Sequence, residues 1–463
     1  MNSNEFNNQL DNLNRTAKLF LDQQEATSFE ESHQKLRQYR LHAEYRANSA
    51  ANQIGLLTLI NTASRFALGG VTVSGDLNVP MQVPYPRFQT LGEAAIALGA
   101  APAEPDMLIP TVIFGEGKKE DPERMIRAIA TGWSGGIAPV SASLPNATRP
   151  AIAPAAILSG AMAAAEGFAL LSGNEPIAGR RIAGMSLWEP ERIHNWFSDD
   201  VVGPDLIALP SDFWLLGLGH LGQAFLWTIL MSPYQNPEDV HVLLQDFDDI
   251  TGSTISTSIL SSADMVGVRK TRAMARILDD AGFRTTVLER RFDGNFKRLP
   301  DDPAVLICCV DNKKARKVME RPGFPLILEA GIGQTKDDFR SLRFHSFPAK
   351  RRAHDLWRDE RQKSGEITNR YTELSSQGLD PCGLARLANT AVGAPFVGAV
   401  AGPVIFSQLL RALHGRSIHA AIDLDLKTVT SRRMIPKPSE NSMRLGFVRP
   451  VTHAELGIQP MLS

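Results

Sequence analysis

The stretch WLLGLGHLGQAFLWTILMSP, residues 214–233, reads as a buried strand, a glycine-rich turn and a helix. Gly217, Gly219 and Gly222 form a G-x-G-x-x-G spacing across that junction. The first two glycines let a backbone turn tightly and approach a phosphate, and a helix N-terminus favours negative charge. The same glycines could serve only to bring strand and helix close together. A second feature argues for a nucleotide. Asp246 follows Gly222 by 24 residues, at the carboxyl end of the apolar run VHVLL, residues 240–244. A carboxylate there can accept hydrogen bonds from ribose hydroxyls. These features alone fit a nicotinamide-dependent oxidoreductase equally well.

Three further stretches shift the balance. QDFDD adds Asp248 two residues beyond Asp246, and a second acid suggests magnesium or organisation on the phosphate side, since hard cations take oxygen ligands. An ordinary solvated loop acid fits as well. GVRKT carries Lys270 on a following helix read from Ser262 to Gly282, where it can fold back to neutralise phosphates or simply face solvent. LICCVDNKKAR puts Asp311 at the end of the next apolar strand, with Arg316 a turn into the helix that follows. Strand ends on one edge of an open parallel sheet form the ligand crevice, so Asp311 is placed to hold a magnesium ion on a triphosphate, to cap the helix, or both.

Taken with the late stretch AVGAPFVGAVAGPVIFSQLLRALHG, these motifs make residues 211–425 resemble the adenylating domain of the ThiF/MoeB/HesA and ubiquitin-activating-enzyme superfamily. The resemblance implies ATP and Mg2+ at this sheet edge. It implies that the C-terminal glycine carboxylate of a ubiquitin-like or sulfur-carrier protein attacks the α-phosphate and releases pyrophosphate. Asp246 would hold the ribose, Lys270 the phosphates and Asp311 the magnesium. No general base is needed, because the nucleophile is already ionised; what is needed is charge compensation.

One departure stands out. Where the family carries SNLNRQ, this chain has STISTS, residues 253–258, so Thr257 and Ser258 replace an arginine and a glutamine that touch the triphosphate. Arg269, Arg272 or an arginine of the N-terminal segment (Arg15, Arg37, Arg40, Arg46) could substitute. Failing that, the chain would be a nucleotide-binding pseudoenzyme subunit that pairs with an active enzyme. Cys308 and Cys309 sit in an apolar strand and read as inert. Cys382, in LDPCGLA, is a candidate for thioester transfer by resemblance and equally a structural cysteine. No Cys-x-x-Cys pair exists for zinc, and the ten histidines lack metal-hydrolase spacing.

With 463 residues, the chain exceeds one ordinary domain. A net charge of −1 gives no global pull toward nucleic acid or an anionic membrane, and three cysteines cannot build a disulfide framework. The N-terminus lacks a signal-peptide layout, so a cytoplasmic protein is expected. The apolar run 151–171 contains Glu166 and much alanine, which argues for a buried helix over a membrane span. The expected fold class is α/β: a Rossmann-like, mostly parallel sheet with helices on both faces, plus an N-terminal helical region and a degenerate or accessory α/β domain. The divisions read as 1–68 helical, 69–200 accessory or degenerate, 201–348 ATP-binding, 349–380 a charged crossover and 381–463 the remainder of the adenylation domain. The stretches APAAILSGAMAAAEGFALLSGNEPI and APFVGAVAGPVIFSQLLRALHGRSI echo one another, from relation or by chance. Lys350, Arg351, Arg352, Arg358 and Arg361, interleaved with acids, suit a solvated face or a docking surface for an acidic carrier. Expected partners are the carrier protein, a conjugating-enzyme-like protein, and a second copy or pseudo-dimer mate.

Overall fold

The computed structural model describes residues 14–23, 25–47, 49–116, 124–144, 149–333, 338–357, 393–437 and 448–452. Its helices are α1 (Arg15–Asp22), α2 (Phe29–Gln38), α3 (Ala50–Ala63), α4 (Leu91–Ala97), α5 (Ala153–Ser172), α6 (His220–Met231), α7 (Gly252–Ile255), α8 (Lys270–Asp280), α9 (Lys313–Val318), α10 (Ala353–Leu356) and α11 (Pro395–Leu413). The strands of the first sheet are β1 (Arg40–Arg46), β2 (Gly70–Gly75), β3 (Ala100–Pro102), β4 (Thr111–Gly115), β5 (Met125–Thr131), β6 (Ser134–Pro139) and β7 (Ala183–Ser186). They lie in the order β3-β2-β1-β4-β5-β6-β7, parallel through β5 and antiparallel after it. β8 (Ala208–Pro210) pairs with β17 (Pro450–Thr452) in a separate ribbon.

The second sheet is built from β9 (Asp212–Leu216), β10 (His241–Gln245), β11 (Arg284–Leu288), β12 (Val305–Cys308), β13 (Leu326–Ile332), β14 (Ser341–Phe347), β15 (His419–Asp425) and β16 (Arg433–Pro436). Its order, β11-β10-β9-β12-β13-β14-β15-β16, repeats that of the first sheet with one strand added, and it too turns antiparallel after its fifth strand in sequence. Helix α3 follows β1 as α6 follows β9, and α5 lies between β6 and β7 as α11 lies between β14 and β15. The two echoing stretches are therefore the matching helices of two copies of one topology. The fold class is α/β, with mixed, mostly parallel sheets and helices on both faces.

Helices α3, α5, α6 and α11 meet at the seam, and small residues let them approach. A Cβ on Gly160 would lie 2.2 Å from the Gly55 carbonyl oxygen, and one on Gly402 would lie 2.3 Å from that of Ala224. Across the seam the Trp227 indole donates to Thr58 Oγ1 at 3.0 Å, and Phe396 packs on Phe66 and Phe168. Helices α5 and α11 are long and apolar enough to cross a membrane by length and composition, yet both are buried in this shared core. Glu166 within α5 is buried too, and Arg181 grips its carboxylate at 2.6 Å.

The copies differ on their outer faces. In the second sheet, Trp214, Leu243, Leu306 and Ile327 form a further apolar layer beneath α9 and α10. On β1 the corresponding positions are polar: His42 contacts Thr72 Oγ1 and Ser74 Oγ, each at 2.9 Å. This explains one correction. Residues 1–68 read as helical, but Leu41, Ala43 and Tyr45 alternate into the core, and residues 40–46 form the central strand of the first sheet. Residues 1–68 are therefore not a helical region throughout. A second correction concerns α8, which begins at Lys270 and not at Ser262. Gly267 has φ +84°, and residues 263–269 are tied to the acidic loop by an Asp249–Arg269 bridge. The stretch 174–210 contains β7 and β8.

Candidate functional site

The glycine turn joins β9 to α6, and each of its three glycines answers a different constraint. Gly217 has φ +90°, and a Cβ there would come within 2.9 Å of the Cys309 backbone. Gly222 packs under the turn, its absent Cβ only 2.0 Å from the Gly217 carbonyl oxygen. Gly219 caps α6 without any side-chain hydrogen bond, and a Cβ there would meet nothing within 4 Å. The space beside Gly219 is open, and the first-turn N–H groups of α6 lack intrahelical acceptors, an arrangement that can receive an anion. The other copy is closed. Ser49 caps α3, its hydroxyl accepting from the Asn52 N–H at 3.2 Å, and the sequence there, RANSAAN, has no glycine.

Asp246 ends β10 beside this turn. Its carboxylate accepts from the N–H groups of Leu218 (2.7 Å), Phe247 (2.7 Å) and Asp248 (2.9 Å). It thus braces the turn against the acidic loop; Oδ1 takes two of these donors, while Oδ2 takes one and keeps a further acceptor site. The start of α8 folds back onto the same loop. The Lys270 ammonium pairs with Asp248 at 3.1 Å, and its N–H donates to the Asp248 carbonyl. At the end of β12 the Cys309 N–H donates to Leu216 at 2.8 Å, and Val310 lies 3.0 Å from where a Gly217 Cβ would be. Asp311 follows, exposed to solvent. It does not cap α9; Asn312 does, accepting from the Lys314 N–H at 2.8 Å. Beneath it Arg316 is buried and donates to the Val310 carbonyl at 2.8 Å, while its Nε lies 3.2 Å from the Glu329 carboxylate. The structure therefore brings the strand ends that precede Gly217, Asp246 and Asp311 to one edge of the sheet, with Asp248 in the loop after β10 and Lys270 beside it at the start of α8.

Thr257 and Ser258 are buried at 2% and 1% exposure, so neither reaches a ligand as a long arginine or glutamine would. Among the arginines offered as substitutes, Arg269 is held by Asp249 and the Phe247 carbonyl, and Arg272 by Glu289 at 2.7 Å. Arg37, Arg40 and Arg46 pair with Glu30, Asp106 and Glu44 of the first half. Arg15 alone of that N-terminal group touches the STISTS segment among the described contacts: its backbone N–H donates to Ser256 Oγ at 3.0 Å, at the first turn of α1. Arg65, at the end of α3, braces the same segment through the carbonyls of Ile255 and Ser261. Both cations act on His220, the first residue of α6. Burial, opposed in part by the Pro395 carbonyl and helped by Arg15 and Arg65, holds its imidazole down at about 4. Sequence reasoning overlooked Arg65, His220 and the Ser49 cap; the first two contact segments far away in the chain.

Cys308 and Cys309 are buried free thiols, and burial pushes the Cys308 thiol up to about 12. Cys382, Arg358 and Arg361 lie outside the described residues, while Lys350, Arg351 and Arg352 are exposed. Among the described residues no group of three or more His, Cys, Asp or Glu side chains could hold a metal alone. Magnesium keeps waters and typically binds one or two carboxylates together with substrate phosphates. Asp311 and Asp248 are the carboxylates on hand.

Comparison with known proteins supplies a family. The model of the BilD C-terminal domain matches residues 209–416, and that of the BilD N-terminal domain matches residues 40–187. A Collimonas sp. protein, the bacterial E1-like protein BilD, is 40% identical over 415 residues, covering 87% of this chain and 89% of its own. The chain belongs to the BilD family of bacterial E1-like proteins. The two BilD domains correspond in order to the first and second sheets. Solved structures similar to parts of this E1-like chain include PaaA, 16% identical over 49% of this chain and 72% of that one at a TM-score of 0.33. E. coli MccB with ATP is 14% identical over 49% and 64%, also at 0.33. E. coli TcdA, a tRNA N6-threonylcarbamoyladenosine dehydratase, in complex with AMP, is 17% identical over 44% and 86%, at 0.28.

Proposed function

We propose that this chain is an adenylyltransferase that activates the C-terminal glycine carboxylate of a ubiquitin-like or sulfur-carrier protein with Mg-ATP. A carboxylate oxygen bonds to the α-phosphorus as the bond to the bridging oxygen of pyrophosphate breaks. Magnesium supplies charge neutralisation on the triphosphate. The rest falls to the chain. The open N-terminus of α6 receives phosphate oxygens, the Lys270 ammonium exchanges Asp248 for phosphate, and Asp246 keeps the turn in place beside the ribose. Asp311 and Asp248 offer the metal its protein ligands. Arg15 takes the part of the absent arginine, so the first half contributes to the site within one chain as a dimer mate would.

The observation that carries this reading is the asymmetry of the two copies: one helix N-terminus is closed by Ser49 and the other is left open at Gly219. We further propose that 201–348 and 381–463 make up the ATP-binding half on either side of a crossover at 349–380, together with a cytoplasmic location, a conjugating-enzyme-like partner and onward transfer to Cys382. The test is ATP–pyrophosphate exchange with small proteins that end in glycine. Carrier-dependent exchange is the expected result, and its absence with every carrier overturns adenylation. A second reading, a nucleotide-binding subunit without turnover, is favoured by the burial of Thr257 and Ser258. It is distinguished by exchange that appears only when an active partner is added.

A further inference from the structure

His220 occupies the fourth position of the G-x-G-x-x-G spacing, between Gly219 and Leu221, and its ring turns toward the start of α11. The Gly398 N–H donates to its Nε2 at 3.0 Å, and the Pro395 carbonyl lies 3.4 Å from the same nitrogen. The contact is close enough to forbid side chains opposite. A Cβ on Gly398 would lie 2.3 Å from Nε2, and one on Gly393 would lie 2.8 Å from Nδ1. A ring nitrogen that accepts a hydrogen bond carries no proton, so the proton of the neutral ring sits on Nδ1. Nδ1 is buried and has no hydrogen-bond partner among the described residues. Being bonded to Cγ, it lies near the residue's own backbone, at the N-terminal end of α6 where the first-turn N–H groups also lack intrahelical acceptors. The nearby charges of Arg15 and Arg65 disfavour a second proton, and an orphaned buried donor is costly until a ligand satisfies it.

We infer that His220 is a phosphate-positioning residue: its Nδ1–H donates to a phosphate oxygen of the nucleotide on the glycine turn, while Nε2 ties that turn to the N-terminus of α11. The imidazole thereby supplies a donor that the buried Thr257 and Ser258 side chains do not. The inference rests on the reading of the glycine turn as a nucleotide site.

Mg-ATP binding is measured by calorimetry on the full chain and on three variants. His220→Asn keeps an amide N–H close to the Nδ1 position. His220→Gln keeps an acceptor near the Nε2 position and loses the Nδ1 donor. His220→Ala loses both. The expected result is near-normal binding by His220→Asn and a loss of about tenfold or more in the other two, the equivalent of one good hydrogen bond. Normal binding by His220→Ala, or by His220→Gln with loss in His220→Asn, overturns the inference, because the ring would then matter only for holding α11. Imidazole 15N spectra of the wild-type chain decide the matter even where a variant fails to fold. An Nδ1–H tautomer that shifts on adding Mg-ATP supports the inference, and an Nε2–H tautomer indifferent to nucleotide overturns it. If the wild-type chain binds no ATP, the underlying reading of the turn falls first.

Discussion

Replacing Gly219 with alanine separates folding from nucleotide binding. The added methyl points into open space, with no heavy atom within 4 Å, although φ −85° and ψ −148° lie just outside the broad β region and give alanine some backbone strain. Gly→Ala stiffens the unfolded chain, which stabilises, and puts a poorer residue at an N-cap, which destabilises. The backbone strain and the poorer cap outweigh the stiffening, and the expected net loss of unfolding free energy is about 1 kcal/mol. Binding responds differently, because the methyl occupies the approach of a phosphate to the N–H groups of α6. Losing one hydrogen bond to a charged group costs about 1.5–3 kcal/mol, or about 10- to 150-fold in affinity. Gly222→Ala is the contrast: its Cβ would sit 2.0 Å from the Gly217 carbonyl oxygen, so both the turn and the helix must shift. Calorimetric titration with Mg-ATP and urea unfolding on the same preparations provide the assay. The expected pattern is lost affinity with stability lowered by only about 1 kcal/mol for Gly219→Ala, and loss of both for Gly222→Ala. Affinity within twofold of wild type in Gly219→Ala would refute the placement of phosphate at this turn.

Lys270→Ala is expected to weaken ATP binding about tenfold or more with little change in the urea midpoint, since its partner Asp248 is 54% exposed and such pairs contribute only ~0–1 kcal/mol. Arg15→Ala, in contrast, is expected to depress pyrophosphate exchange more than 100-fold, by the precedent of arginines donated to phosphoryl transfer. Arg181→Met strands the buried Glu166 carboxylate, and unfolding measurements should show a loss of about 3–5 kcal/mol; a loss below 1 kcal/mol would mean that water reaches the pair. Cys308 and Cys309 should resist a thiol reagent until the chain unfolds, because both are buried and burial raises both thiols above their ordinary range. Rapid labelling of either in the native chain would contradict that.

What could be read from the residues was the part built by local necessity. The run from Trp214 through Gly222 can hardly be anything but strand, turn and helix, because a positive φ and two close approaches demand glycines at fixed offsets. The placement of Asp246 and Asp311 was legible for a related reason, since each follows an apolar strand in a parallel sheet and therefore lands on one edge. The duplication was only hinted at. Topology depends on which positions are apolar and not on which residues they are, so RLHAEYR and DFWLL can be equivalent strands with little in common. Strand β1 was hidden because Tyr39 and Ala43 match a helical interval by coincidence, while the decisive alternation spans only three core residues. The position of His220 is set by Gly398, 178 residues away, and that of Arg15 by Ser256, 241 residues away, distances at which no local pattern operates.

The central claim is that two copies of one topology hold a single nucleotide, at the open glycine turn of the second. Equilibrium titration of the intact chain with a magnesium-bound, non-hydrolysable ATP analogue, repeated in the presence of NAD, tests it most directly. The expected result is one analogue bound per chain, undisturbed by NAD. Two bound per chain, none, or displacement by NAD would contradict it.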